Sequence, residues 1–594
     1  MTSAPSPSDR PAPALSDRSA PASPSAENLS PESPVQRHVP RTRHSALAGS
    51  GWAWLWWTLA AAVPVLFLAV FFAWPVLSLV GRGFWDDGPD LSGFAEVFGR
   101  PRTWRIIGLT LAQGAAGTVV SVLLGVPGAY LLYRCRFRGQ GVLRAFVTVP
   151  FVLPTVVVGV AFRALLRENG PLGFLGLDGT FTAIVAALVF FNYAVVVRTV
   201  GGLWSRLDPR PEQAARSLGA SPARAFRTVT LPALTPAIVS AASLVFLFCA
   251  TAFGTVLVLG GLRFGTVETE IWIQTTQFLD LRAAAVLSVV QVVVVVGALT
   301  VAARARSRRE RALALIDAPT PPGRPHPLPT AITAITLVLL ALPLIALVAG
   351  SLRVGDGWGL DHYRALATTG GDSALTVTVW QALSNSLRVA VDATLLAVLV
   401  GGLVALVVSR RPRQPVLRRT VAGLDGVFML PLGVSAVTVG FGFLLVMGHP
   451  FGIATDLRTS GILVPIAQAV VAVPLVVRTV LPVLRAIDPR LREAAATLGA
   501  GSGRVLATID LPVVARSLGL AVGFAFAVSL GEFGATSFLA RPDRPTLPVV
   551  IFRLIGLPGA DRYGMALAAS VVLAVLTAGV MALAERLRGF GGEL

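Results

Sequence analysis

One acidic residue within an apolar stretch could bind a cation. Glu532 lies inside the hydrophobic run 513–540, where an ionisable side chain is costly and usually faces a cavity or a partner. The chain repeats itself, and the repeat places Ala252 at the matching position of the other half. One half therefore offers a carboxylate where the other offers a methyl group, which suits an asymmetric pathway for a cation. We predict that Glu532 faces such a pathway near its outer gate. The alternative is a helix-end carboxylate that a neighbour or water satisfies.

Two further polar side chains fall within apolar runs and are weaker candidates for the same pathway. Asn192 lies in the run 181–200 and Asp392 lies in the run 383–408. Polar groups in such runs also join helices by hydrogen bonds, which is the competing interpretation for both residues.

Two residue patterns of nucleotide and metal binding are absent from the sequence. The chain contains no lysine, so it has no Walker A loop, whose phosphate-binding residue is a lysine. The two cysteines, Cys135 and Cys249, are isolated from each other and indicate neither a disulfide nor a metal cluster. We therefore predict no metal site and no cofactor bound by this chain. If ATP is the energy source, its hydrolysis occurs on another polypeptide.

A short polar segment occurs twice, 280 residues apart (488 − 208), each time between hydrophobic runs. Both copies contain Asp-Pro, an Ala pair, a Gly and Leu-Pro, and the spacing from the Ala pair onward is identical. We name them the first repeat loop (208–232) and the second repeat loop (488–512). Each predicts two short helices, the first capped by its Asp and ended by Gly219 or Gly499 in a left-handed conformation. Two matched polar loops favour a docking surface over a simple connector, which is the competing interpretation.

The composition predicts an all-α membrane protein. Hydrophobic residues form 54% of the chain, charged residues form 14%, and the mean hydropathy is +0.72. Apolar runs of about 20 residues, enough to cross the hydrocarbon core as helices, recur along the chain. Together with the repeat, they predict about twelve transmembrane helices in two homologous six-helix halves. The predicted spans are 54–80, 106–133, 146–166, 181–200, 233–260, 282–303, 329–351, 383–408, 424–447, 461–483, 513–540 and 563–585.

The formal charge of +19 is a signal of topology. Arginines cluster at alternate ends of the spans, whereas the loops at the opposite ends mix both signs, as around Glu268 and Glu270. By the positive-inside rule the arginine-rich side is cytoplasmic, so both termini and both repeat loops are predicted to lie there. We therefore predict a multi-pass protein of the plasma membrane, with the lipid bilayer and not nucleic acid as its partner.

Composition and the spans divide the chain into six regions. Residues 1–50, rich in Pro, Ser and Ala, predict a disordered cytoplasmic tail, and the proline-rich stretch before residue 329 predicts a joint between the halves. The predicted regions are the tail (1–50), a first transmembrane helix with its outer loop (51–105), a first domain containing the first repeat loop (106–304), a cytoplasmic linker (305–328), a seventh transmembrane helix with its outer loop (329–382) and a second domain containing the second repeat loop (383–587).

The repeat loops resemble a known family. The second loop has Glu-Ala-Ala, three residues, Gly, nine residues, Ile, one residue and Leu-Pro, which is similar to the cytoplasmic coupling loop of permeases of ATP-binding-cassette (ABC) importers. The first loop departs from the pattern at Gln213, where Glu is usual, and at Val229, where Ile is usual. From about residue 51 to 587 the chain resembles two fused type I permease halves, as in the thiamine and ferric-iron uptake systems. The residues that the resemblance assigns to ATPase coupling are Glu212, Gln213, Ala214, Ala215, Gly219, Glu493, Ala494, Ala495 and Gly499.

The resemblance implies a transport subunit without catalytic residues of its own. Each loop would sit in a groove of one subunit of an ATPase dimer at the cytoplasmic face, and a solute-binding protein outside the membrane would deliver the substrate. The implied substrate is a small cation such as thiamine or ferric iron.

Two other classes of membrane protein remain as alternatives. An ion-coupled secondary transporter also has duplicated halves, but it is expected to carry several charges near the midplane, and these are sparse here. A scaffolding membrane protein would need neither Glu532 nor a matched pair of loops.

Overall fold

The computed structural model describes residues 51–84, 88, 90–261, 263–307, 325–371, 374–410, 423–424, 426–453 and 455–589. The described residues from Ala53 onward form one compact unit. The predicted tail and most of the predicted linker lie outside the described residues.

The prediction of an all-α membrane protein is confirmed. Among the described residues, ten helices are long and apolar enough to cross a membrane, because each contains an 18-residue window of high hydropathy with few charges. These helices span Leu59–Phe84, Pro101–Arg134, Phe181–Trp204, Pro222–Ala250, Leu281–Ala298, Pro327–Leu352, Val379–Ser409, Leu463–Ala486, Ser502–Gly531 and Ala560–Arg586.

Two of the twelve predicted spans are not among these ten helices. The predicted span 146–166 consists of Gln140–Val152 and Thr155–Leu166, which meet at an angle of 104°. Pro154 explains this bend, since a proline lacks an N–H and pushes the residue before it out of the helical region. The predicted span 424–447 contains only Ala436–Val446 as an α-helix of more than ten residues. The described residues therefore hold ten spans, or eleven if the bent pair counts as one.

Shorter elements join the spans and interrupt two of them. The predicted spans 233–260 and 513–540 end early, at Ala250 and Gly531, and a short helix follows each break. A two-residue antiparallel hairpin pairs Arg353 with Trp358. The short α-helices are Ser92–Gly99, Arg210–Ser217, Pro222–Ala225, Gly254–Gly260, Val267–Thr276, Asp361–Ala365, Pro489–Thr497, Ser502–Val505, Thr536–Leu539 and Leu547–Gly556, and the strands are Arg353–Val354 and Gly357–Trp358. The 3-10 turns are Gly173–Leu175, Leu430–Gly433, Pro450–Gly452 and Leu457–Thr459, and the π-helical segments are Ala69–Ala73, Tyr130–Arg134, Phe226–Thr230 and Leu506–Asp510.

Each half is built around three helices that pack against one another. In the first half they are Pro101–Ala129, Phe181–Trp204 and Leu231–Ala250, and in the second half Val379–Ser409, Leu463–Ala486 and Leu511–Gly531. Gly125 permits a close approach in the first trio, because a Cβ atom there would lie 2.6 Å from Cβ of Val196.

The first helix of each half packs against its own half and also against the other half. Trp74–Phe84 packs against Ala436–Val446 of the second half, and Pro327–Leu352 packs against Thr155–Leu166 of the first half. Phe72, at the end of the π-helical segment that precedes Trp74, belongs to the buried cluster of the second half. The two halves are therefore interlocked, each completed by a helix from the other.

Candidate functional site

The first short helices of the two repeat loops begin in the same way. They span Arg210–Ser217 and Pro489–Thr497. The carboxylates of Asp208 and Asp488 each accept a hydrogen bond of 2.9 Å from the backbone N–H two residues further on. A second short helix follows in both loops, which confirms the predicted helix pair. These carboxylates satisfy N–H groups that the first turn leaves without partners.

Both helices end at the predicted glycines. Gly219 has φ +87° and Gly499 has φ +81°, so both occupy the left-handed region that glycine enters without steric cost. The N–H of Gly219 donates to the carbonyl of Arg216 at 3.0 Å, and the next N–H donates to the carbonyl of Ala215 at 3.1 Å. The second loop has the same pair of bonds, each 3.0 Å long. This arrangement is the Schellman motif, and it fixes the shape of both loop tips.

An exposed leucine precedes each of these glycines. Leu218 is 89% exposed and Leu498 is 88% exposed, although leucine is usually buried in folded proteins. The first alanine of each pair, Ala214 or Ala494, is exposed on the same helix. The two leucines were not among the predicted coupling residues, although their identical position in both copies was a signal that could have found them. Each loop therefore presents a small apolar knob.

Internal contacts anchor the two loops differently. In the first loop Thr230 Oγ1 donates to Glu212 at 2.9 Å. At the matching positions of the second loop Arg492 Nε donates to Asp510 Oδ1 at 2.7 Å, and Arg410 Nη2 donates to Asp510 Oδ2 at 2.6 Å. Asp510 is fully buried, so it depends on these two arginines. Glu212, predicted as a coupling residue, is engaged within its own loop, whereas Gln213 and Glu493 are exposed.

The other predicted pathway residues occupy different environments. Asn192 is buried, and its Nδ2 donates to the carbonyl of Leu188 at 2.9 Å and contacts Cys249 Sγ at 3.4 Å, which joins two helices of the first half. Asp392 is exposed on Val379–Ser409, where Leu395 is 66% exposed. Asn192 thus has the helix-bridging contact that was the competing interpretation. A pathway role for either residue stays a prediction.

Glu532 lies at the break after Leu511–Gly531 and is 7% exposed. Its Oε1 accepts from the backbone N–H of Ala535 at 2.7 Å, and its Oε2 accepts from the N–H of Thr536 at 3.0 Å and from the hydroxyl of that threonine. Both carboxylate oxygens are therefore engaged at the start of the short helix Thr536–Leu539. This geometry agrees with the helix-end alternative, and contact with a substrate stays a prediction.

We expect Glu532→Gln to lower the stability of the protein. The amide NH2 cannot accept a hydrogen bond, so a buried N–H donor loses its acceptor, at a cost of about 1–3 kcal/mol. The midpoint of thermal unfolding of the purified protein should fall. Glu168→Gln, at an exposed turn between helices, is the matched control and should change stability by less than about 0.5 kcal/mol. An unchanged midpoint for Glu532→Gln would contradict the structural role.

Four aromatic rings join the two halves. Phe253 and Phe533, at matching positions, stack with ring centres 5.4 Å apart and planes at 16°. Trp272 and Phe552, also at matching positions, meet edge to face at 5.9 Å. Within the first half Phe253 also contacts Trp272, and within the second half Phe533 also contacts Phe552. We name these four residues the aromatic cluster, and it closes the contact between the halves.

The prediction that Glu268 and Glu270 lie in a loop between spans is wrong, because both are buried on a helix. The helix Val267–Thr276 contains both, and Thr266 starts this helix with a capping box. Apolar residues beside the two acids, such as Ile271, pack in the buried cluster between the halves, and the helix is therefore buried with them. A Thr followed by acids and then apolar residues was the signal of a capped, buried helix.

The two acids have different partners. Glu270 is paired with Arg102, whose Nη2 lies 2.8 Å from Oε2, and it accepts from Gln274 at 2.9 Å. Glu268 is fully buried and accepts a hydrogen bond of 2.6 Å from Ser435 Oγ, which belongs to the second half. Glu268 therefore contacts both halves, beside the aromatic cluster.

Comparisons with known proteins agree on one family. The family described as binding-protein-dependent transport system inner membrane component matches residues 117–310, which include the whole first repeat loop. The thiamine transport system permease protein of Escherichia coli (strain K12) is 27% identical over 487 residues, covering 80% of this chain and 87% of the relative. The protein of the same name from Brucella abortus (strain 2308) is 26% identical over 555 residues, covering 89% of this chain and 95% of the relative.

Two further similarities concern a part of the chain. The sulfate transport system permease protein of Salmonella typhimurium is 30% identical over 245 residues, which cover 39% of this chain and 86% of that relative. A solved structure of a bacterial ABC transporter involved in the import of the acidic polysaccharide alginate covers 44% of this chain and 96% of its own, at 17% identity and a TM-score of 0.38.

Proposed function

Because this chain belongs to the family of binding-protein-dependent transport system inner membrane components, we propose that its two repeat loops couple a separate ATPase dimer to a pathway for a small cation such as thiamine. The chain is the multi-pass inner-membrane permease subunit of an ABC importer. The observation that carries the coupling proposal is the Schellman motif that ends the first helix of both loops, each next to an almost fully exposed leucine.

Coupling by these loops follows from their shape and rigidity. The first short helix of each loop is capped at both ends, which prevents its ends from fraying. A displacement of the loop tip is therefore transmitted to the span that follows. The exposed Ala and Leu side chains would allow a groove of the partner to approach closely and bury apolar area. ATP hydrolysis belongs to the partner, since this chain has no lysine for a Walker A loop.

The relatives support thiamine as the substrate. Two proteins named for thiamine transport resemble this chain over 80% and 89% of its length, which includes both halves. The ferric-iron alternative has no corresponding support among the relatives named above.

The orientation follows from the proposed coupling. If both repeat loops meet an ATPase, they lie in the cytoplasm, and the arginine-rich ends of the spans lie with them, as the positive-inside rule requires. Both termini are then cytoplasmic, and a solute-binding protein delivers the substrate on the opposite side. The alternative of an ion-coupled secondary transporter leaves the matched loops without a role.

A single pair of measurements tests this proposal. Cells that depend on this chain for thiamine uptake should lose uptake when ATP is depleted and keep it when the ion gradient alone is collapsed. An ATPase subunit should copurify with the wild-type chain. Uptake that survives ATP depletion and collapses with the ion gradient would instead establish the secondary transporter.

A further inference from the structure

We propose that Glu268, and not Glu532, is the carboxylate that binds the positively charged ring of the substrate, with the aromatic cluster contacting the faces of that ring. This inference rests on the proposed function and names the residues and the ligand class of its pathway, a heteroaromatic cation.

Glu268 differs from the two other buried acids in the kind of partner it has. Glu270 is neutralised by Arg102, and Glu532 is bound by backbone N–H groups on both oxygens. Glu268 accepts from Ser435 through Oε2 and has the side chain of Gln291 as a further hydrogen-bonding neighbour, so its partners in the described part of the chain are neutral side chains. A buried carboxylate in this condition is costly, which favours a role in binding.

The aromatic cluster lies one helical turn from this carboxylate. Trp272 follows Glu268 by four residues on the helix Val267–Thr276, so both side chains share one face. Trp272 and Phe552 are only half-buried, although Ile271 and Ile551 beside them are fully buried. The indole N–H of Trp272 also has no hydrogen-bond partner in the described part of the chain. Aromatic faces attract cations, most strongly when the pair is removed from water. A carboxylate beside such faces is the chemistry that recognises a positively charged aromatic ring.

The site is asymmetric, as a single cation requires. The position that matches Glu268 in the second half is Pro548, so the contact between the halves holds one such carboxylate. The second half contributes Ser435 and two rings of the cluster. A substrate held here would touch both halves at once.

In this structure the site is closed. Glu268 has no exposed area, because Ser435 covers it from the second half and the Phe253–Phe533 stack joins the halves. Each of these contacts crosses between the halves, so separation of the halves would break both and open the carboxylate to a substrate. The helix Leu231–Ala250, which is about 30 Å long at 1.5 Å per residue, starts at the end of the first repeat loop and ends beside the cluster. The site therefore lies at the end of the spans opposite the loops.

The test measures import by the complete transporter with its ATPase and binding protein. The probes are thiamine and an analogue whose thiazolium ring is replaced by neutral thiophene. We expect Glu268→Gln to reduce thiamine import at least tenfold and to leave import of the neutral analogue undiminished. Glu96→Gln removes an exposed carboxylate on Ser92–Gly99 and is the matched control, with import like the wild type.

The outcomes separate the two proposals. If the wild-type chain imports no thiamine, the proposed function and this inference both fall. If it imports thiamine and Glu268→Gln does so equally well, only the inference falls. Loss of both probes to the same extent would assign Glu268 a purely structural role and also overturn the inference.

A second measurement applies if Glu268→Gln does not accumulate in the membrane. In a Ser435→Cys chain held open by an ATPase that binds but does not hydrolyse ATP, a small cationic thiol reagent should reach the new cysteine. Thiamine should slow this reaction at least fivefold, because it would occupy the space beside Glu268. A reaction rate that thiamine does not change would overturn the inference.

Discussion

The double variant Leu218→Asp, Leu498→Asp is expected to lose its ATPase partner and at least nine-tenths of its uptake. Each leucine is almost fully exposed at the tip of a rigid loop, so burial in a partner's groove is worth about 1.5–3 kcal/mol per side chain. An aspartate would remove that gain and would place a charge in the contact. Since about 1.4 kcal/mol is a factor of ten in affinity, two such changes suffice to dissociate the complex. Copurification of the ATPase and thiamine uptake measure the effect.

The control for this variant is an exposed leucine at a distance from the repeat loops. Leu360, 56% exposed, precedes Asp361–Ala365, and an aspartate there suits the start of a helix. Leu360→Asp should retain the ATPase and the uptake. If the double variant also keeps its ATPase, the leucine tips are not the docking surface.

Asp510→Asn is expected to destabilise the second half strongly. The side chain is fully buried and is held by Arg410 and Arg492, which are themselves largely covered. Removing its charge leaves two guanidinium groups uncompensated, and breaking a buried ion pair in this way costs about 3–5 kcal/mol. The midpoint of thermal unfolding and the amount of protein in the membrane should both fall, and the second repeat loop should lose its fixed position.

The duplicated architecture supplies a matched control for this change. Thr230 occupies the same position in the first half, where it donates one hydrogen bond to Glu212. Thr230→Ala should cost only about 1 kcal/mol, the typical net contribution of one hydrogen bond. Equal effects of the two substitutions would show that the arginine pair contributes nothing beyond an ordinary contact.

Features that depend on neighbouring residues were predicted well from the sequence. The repeat loops were predicted with their helix pairs, their Asp caps and the left-handed Gly219 and Gly499, because caps and turns depend on a few adjacent residues. The apolar runs likewise predicted most spans, since hydropathy alone decides whether a helix crosses the bilayer.

Features that depend on contacts between residues far apart in the sequence were not predicted. The break before Glu532 interrupts a continuous apolar run, and its stabilising contacts come from the helix that follows it. Glu268 was assigned to an outer loop because its burial depends on Ser435, which is 167 residues away. Asp510 was overlooked for the same reason, since Arg410 lies 100 residues before it. Residue type does not reveal such partners without the fold.

The crossed first helices have a consequence for how the protein is made. Trp74–Phe84 enters the bilayer early in synthesis and packs against Leu281–Ser307 of its own half, yet its other neighbour, Ala436–Val446, is translated only after the whole first half. Until then the insertion machinery or lipid has to cover the face of the helix that will contact the second half. Each half therefore needs a helix of the other half to cover part of its surface. Because one polypeptide carries both halves, the two halves are always made in equal amounts.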